Sequence, residues 1–197
     1  MKTALIVIGV VVLIVVIGFA TLFGVYNSFV AADQVVSEKW AQVQNVYQRR
    51  ADLIPNLVET VKGFAAQEKT VLEAVTQARA SASGIKATPE LLNDPAAFKK
   101  FQDAQNQLSG ALSRLLVTVE RYPELKSNQN FLALQSQLEG TENRITVERQ
   151  RFNEAVRDYN TKIKVMPGAL VARLMGFKEK AFFEAAQGGE TVPKVKF

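Results

Sequence analysis

The sequence predicts an all-α protein: an N-terminal transmembrane helix followed by an antiparallel bundle of three long helices, or four if the first is split at a kink at Pro55. Three observations lead there. Residues 4–25 are 22 consecutive residues without a charge, sixteen of them Val, Ile, Leu or Phe. Apolar residues then recur in a 4-3 pattern over long stretches nearly free of glycine and proline, the mark of helices packed lengthwise. No stretch after residue 25 alternates polar and apolar residues long enough to make a strand.

The first element is the apolar stretch. At 1.5 Å rise per residue, 22 residues reach ~33 Å, about the thickness of bilayer hydrocarbon. Sixteen large apolar side chains at ~0.45 kcal/mol each favour insertion by roughly 7 kcal/mol. The rival reading is a secretory signal peptide cleaved after Ala20, since Gly18 and Ala20 have the small-x-small spacing. The apolar run resumes past that site through Leu22, Phe23 and Val25, longer than a signal core needs, and so a retained anchor is expected. Lys2 flanks one end, and no positive charge follows until Lys39. That weak asymmetry favours a cytoplasmic N-terminus with the domain outside, and it leaves the side of the membrane open. Within the span, Ala20, Gly24 and Ser28 repeat every four residues, a small-residue stripe that lets two membrane helices approach closely.

Beyond the span, the seam runs Val36, Trp40, Val43, Tyr47, Ile54, Leu57, Val61, Phe64, Val71, Val75, with Arg50 and Glu68 as its two polar positions. This predicts one helix to about Ser83, kinked near Pro55, where a backbone donor is lost. A new helix capped by Asp52 is the alternative. Ser83-Gly84 and Thr88-Pro89 mark a loop. Asp94 and Pro95 are a cap and first position for a second helix carrying Phe98, Phe101, Leu108, Leu112, Leu115, Leu116 and Val119. Tyr122-Pro123 ends it. A third helix carries Phe131, Leu134, Leu138, Ile145, Phe152, Val156, Tyr159 and Ile163, with Glu142 and Arg149 in phase with that face. Met166-Pro167-Gly168 stops it, and a short helix over residues 169–175 follows. The expected organisation is a membrane anchor over 1–25, a helical domain over 26–187 and a basic flexible tail over 188–197.

Composition narrows the functional classes. The net charge is +5, spread along the chain rather than gathered into a stripe, so nucleic acid is not an expected partner. There is no cysteine and no histidine. Thiolate zinc sites, cysteine nucleophiles and histidine bases are therefore ruled out. A ferritin-like di-iron site would need Glu-x-x-His pairs. No phosphate loop or serine elbow is present, and neither a cofactor nor an enzymatic activity is expected. Trp40 and the phenylalanines fall at core spacing. The sharpest constellation is Arg50, Glu68, Glu142 and Arg149, charges in apolar seams. They are read chiefly as register-setting ion pairs, with snorkelling at the seam edge and a ligand site as the alternatives.

The run Arg49-Arg50-Ala51-Asp52-Leu53-Ile54-Pro55-Asn56-Leu57-Val58, followed by Val61-Lys62-Gly63-Phe64, resembles the signature of the LemA family. So do Tyr26-Asn27, Trp40, Glu68, Ala78-Arg79 and Arg121-Tyr122-Pro123-Glu124-Leu125-Lys126. Glu139-Gly140-Thr141-Glu142-Asn143-Arg144-Ile145, Tyr159-Asn160, Phe177, Phe182-Phe183-Glu184 and the Pro-x-Val-x-Phe close complete the likeness. Phe152-Asn153 departs from it, since the family often has Tyr-Asn there. The resemblance implies a single-pass bacterial inner-membrane protein with a helical domain and no enzyme activity. The expected role is a structural scaffold that touches membrane lipid, forms a homo-oligomer and organises other membrane proteins. The alternative is an adaptor that binds and regulates one partner, such as a membrane protease or a signalling protein, contacted through the basic tail from Phe177 onward or an exposed face of the bundle.

Overall fold

The computed structural model describes residues 2–184, so the tail over 188–197 and the end of the expected helical domain lie outside the described residues. The elements are α1 (Lys2–Phe64), α2 (Lys69–Gly84), α3 (Pro95–Val119), α4 (Pro123–Lys126), α5 (Gln129–Lys164) and α6 (Gly168–Met175), with a 3-10 turn at Pro89–Asn93. The described residues contain no strand. The all-α class read from the sequence holds.

α1 is a single helix of 63 residues, about 95 Å long at the α-helical rise. Its apolar N-terminal part is long and apolar enough to cross a membrane, and its most apolar 18-residue window is not buried by any of the described residues. Further along, the same helix is a wall of the bundle. Val36, Trp40, Val43, Tyr47, Arg50, Ile54, Leu57 and Val61 are all buried, each at a predicted seam position. The chain then returns: α2 runs antiparallel to α1, α3 parallel to it, and α5 antiparallel again along its length. Contacts fix these directions, from Gln67–Tyr122 and Arg50–Ser109 to Arg50–Glu142 and Trp40–Phe152.

Two expectations about the first helix need correction. It does not continue to Ser83. The helix ends at Phe64, which is 41% exposed, and Ala65, fully buried, takes the seam position instead. The reversal over residues 65–68 is held by distant groups. Glu68 accepts hydrogen bonds from the Arg121 guanidinium and the Tyr122 hydroxyl, both at 2.8 Å. Nor does the helix split at Pro55; the fourth bundle helix arises from the later reversal. α1 passes through Pro55 without interruption, and Asp52 caps no new helix.

The uninterrupted passage has a local reason. Proline has no N–H to give to the carbonyl four residues back, here that of Ala51. The Arg79 Nε of α2 donates to that oxygen at 2.8 Å. A neighbouring helix thus satisfies the acceptor that the proline orphans. Elsewhere local chemistry suffices. Asp94 accepts from the backbone N–H groups of Ala96 and Ala97, both at 3.0 Å, ahead of Pro95. Asn128 accepts from Phe131 at the start of α5.

The interior falls into two apolar bodies. The one nearer the apolar span is aromatic, built on Phe29, Trp40, Tyr47, Phe98, Phe101, Phe152, Tyr159 and Phe183. The distal one is mostly aliphatic, with Ile54, Leu57, Val61, Val75, Leu108, Leu115 and Leu138. On α1 the boundary between them falls at Arg50.

Arg79→Met should cost about 1–2 kcal/mol of stability by leaving the Ala51 carbonyl unpaired. Pro55→Ala restores the in-helix donor, so the same change in a Pro55→Ala background should cost measurably less. A double-mutant cycle by chemical denaturation of the full chain in detergent checks this. Equal costs in both backgrounds would refute the compensation.

Candidate functional site

Arg50 is buried to 1% exposure at the boundary between the two cores. Its Nη1 donates to Glu142 Oε1 at 2.7 Å and to Ser109 Oγ at 2.8 Å. Its Nη2 donates to the side-chain oxygen of Gln105, and the guanidinium lies 5.1 Å from the Tyr47 ring centre. One cation thereby joins α1, α3 and α5. Glu142 is asymmetric to it: its side chain is 39% exposed and reaches water on one side. The Tyr47 hydroxyl and Arg50 Nε are buried with no hydrogen-bond partner among the described residues. Burial pushes the Tyr47 phenol pKa up, opposed by the nearby Arg149 and Arg50 charges.

Of the four seam charges, the fold brings only Arg50 and Glu142 together. Glu68 sits at the distal reversal with Arg121 and Tyr122. Arg149 lies over the Phe183 ring at 4.4 Å and donates to the Glu184 carbonyl at 3.3 Å. Ala20 and Gly24 are exposed on the apolar part of α1, while Ser28 is half-buried and donates to the Val25 carbonyl at 2.8 Å. Among the described residues no group of three or more His, Cys, Asp or Glu is placed to hold a metal ion.

A second polar system was not legible as a site. Residues 177–184 run back along the bundle as a strap, and amide side chains grip its main chain. Asn160 donates to the Lys180 carbonyl and accepts from the Lys180 N–H, both at 2.9 Å. Asn153 does the same with Phe183, at 2.8 and 2.9 Å. Gln102 repeats it with Glu184, at 3.0 and 3.2 Å. Between these clamps the Ala181 N–H donates to the Leu92 carbonyl, and Lys180 pairs with Asp33 at 2.7 Å. Phe183 fills an aromatic box, its ring 4.9 Å from Phe98, 5.6 Å from Phe152 and 6.2 Å from Trp40. The Tyr159 hydroxyl donates to the Lys178 carbonyl at 3.1 Å, and its pKa is pushed up to about 12 by burial and by the negative charge of Asp33.

The strap covers the Trp40 core, as the aromatic spacing suggested for Trp40 itself. It also changes the expected contact segment: Phe177 to Glu184 is packed rather than free. Buried Gln102 and Asn160 on helix faces were the available signal, since buried amides require partners. Spacing alone could not say that those partners were a backbone.

A helical bundle whose first helix continues as a long apolar stem, closed by a C-terminal strap, defines a class of membrane-associated helical proteins. The chain belongs to the LemA family, whose profile matches residues 39–197. Among its relatives are two magnetosome proteins of Paramagnetospirillum magneticum, MamQ 1 and MamQ 2. Each is 29% identical over 198 residues, covering 91% of this chain and 72% of the relative. MamQ of Magnetospirillum gryphiswaldense is 28% identical over 187 residues, covering 87% of this chain and 69% of the relative.

Removing Glu142 leaves a buried cation, whereas removing Arg50 leaves a carboxylate that can hydrate. Glu142→Ala should therefore cost about 2–3 kcal/mol and Arg50→Met about 1 kcal/mol. Thermal unfolding by circular dichroism checks the order; a wild-type Tm in Glu142→Ala would refute the pairing. The raised Tyr159 pKa means that the unfolded chain loses this proton first as pH rises. The stability it contributes is full below about pH 10 and is lost as pH rises toward about 12. Tyr159→Phe should flatten that alkaline fall, measured as Tm against pH; an unchanged slope would refute it.

Proposed function

We propose that this protein is a non-enzymatic, single-pass scaffold of the bacterial inner membrane that self-associates and organises other membrane proteins. The observation that carries the reading is the continuity of α1. One unbroken helix passes from the apolar stem into the buried seam of the bundle. Such a helix is a rigid strut, and lateral association of the stem brings whole bundles into register. Ala20 and Gly24 offer a face where a second helix can approach closely, with nothing within 4 Å of a methyl built on Gly24. Family membership supports a membrane-associated structural role, and the relatives named as magnetosome proteins are consistent with work at an organised membrane. In this reading the helical domain spans 26–187 and the Arg50–Glu142 layer is structural.

The adaptor reading keeps one supporting observation, the basic Lys194 and Lys196 of the C-terminus. With residues 177–184 packed on the bundle, a partner would be met beyond Glu184 or on an exposed face of the bundle.

The full-length protein, extracted gently from membrane and sized by light scattering, should run as a homo-oligomer of several copies. Gly24→Ile should shift it toward smaller species while leaving the Tm of the bundle unchanged. A monomer that recovers one partner in equal amount, weakened by deleting residues 188–197, would favour the adaptor instead.

A further inference from the structure

The membrane-proximal end of the bundle carries an apolar surface that the fold leaves uncovered. α6 turns Gly168, Val171 and Ala172 inward. Its other side presents Leu170 at 56%, Leu174 at 77% and Met175 at 60% exposure, and Val165 and Met166 beside it are 53% and 67% exposed. The opposite side of α6 packs beside the stem. A methyl built on Gly168 would come within 3.0 Å of Phe29, and Phe177, just after α6, packs edge-on against Tyr26 and Phe29 at 5.8 and 5.2 Å.

That level on α1 can be placed relative to a bilayer. Residues 3–32 are 30 consecutive residues without a charge, ending at Asp33. As helix they reach ~45 Å, the thickness of a bilayer with its headgroups included. Phe29 lies one turn beyond the apolar stretch, ~6 Å along the axis, which is headgroup depth. Lys162, Arg173 and Lys178 are exposed and within four residues of patch residues along the chain, while the local acids Glu179 and Asp33 are each engaged by a lysine at 2.7 Å. An apolar face rimmed by cations at that depth matches an anionic lipid surface.

We propose that α6 is a second membrane contact: it inserts Leu170, Leu174 and Met175 into the interface beside the stem, with its basic rim on anionic headgroups. This rests on the reading that the stem of α1 lies in lipid.

The chain has no cysteine, so single-cysteine variants can each carry one nitroxide label. Leu174→Cys probes α6, Val117→Cys is an exposed distal control, and Val12→Cys reports the stem. Each full-length protein is reconstituted in phosphatidylcholine vesicles containing phosphatidylglycerol. Collision with oxygen is then compared with collision with a water-soluble nickel chelate. The oxygen preference at position 174 should exceed that at 117 by at least about threefold and persist at one protein copy per vesicle. A buried label at 12 with a label at 174 as wet as that at 117 would overturn this inference alone. Protection at 174 that vanishes on dilution would also overturn it, by showing that a second copy covers the patch. A wet label at 12 would overturn the stem reading and this inference together.

Discussion

The bundle is organised around one buried cation. Arg50 occupies a seam position that any aliphatic residue could fill, and it interrupts an otherwise apolar interior at the level where aromatic packing gives way to aliphatic packing. Burying a guanidinium is tolerable only where its donors are met. Here the acceptors come from two other helices: Ser109 and Gln105 on α3, and Glu142 on α5. Sliding α1 by one turn would move Arg50 by ~5.4 Å and bury it against hydrocarbon. Apolar seams permit such slips at small cost, whereas a single polar layer forbids them. In the proposed structural role, the layer adds little net stability and much register.

Register matters because α1 is also the stem. The helix that must align with α3 and α5 enters the bundle straight from the apolar stretch, with no loop to absorb an error. Two devices preserve this. Arg79 supplies the donor that Pro55 withholds, so the strut crosses a proline without an unsatisfied carbonyl. The strap over residues 177–184 pins α3, α5 and the 3-10 turn around Trp40, using hydrogen bonds to main chain that do not depend on the strap's own side chains, supplemented by the Phe183 and Phe177 rings and the Lys180–Asp33 pair.

Much of this was legible, and the boundary of legibility is physical. The 4-3 seam reported burial correctly from Val36 to Val61 because lengthwise packing is a periodic, local property of a helix. The Asp94-Pro95 start was legible because capping involves only the next few residues. The reversal at 65–68 was not: the groups that hold Glu68 lie 53 and 54 residues further on. For the same reason seam phase placed Arg50, Glu68, Glu142 and Arg149 on inward faces without saying which of them meet. The amide clamps were least visible, since a pairing of side chain with extended backbone has no period on the strap side.

A strut without a flexible joint has a geometric consequence. In a protein tethered by a flexible linker, the domain samples orientations, and a surface patch meets the bilayer only by chance. Here the bundle's attitude is set by the direction of α1, since the same helix is both stem and core wall. Gly168, where a side chain would run into the Lys162 carbonyl and, at 3.0 Å, the Phe29 ring, holds the start of α6 close to both α5 and that helix. With the stem in lipid as proposed, height and attitude together decide which residues face it, so the exposed leucines of α6 stand at a position determined by the backbone rather than found by diffusion.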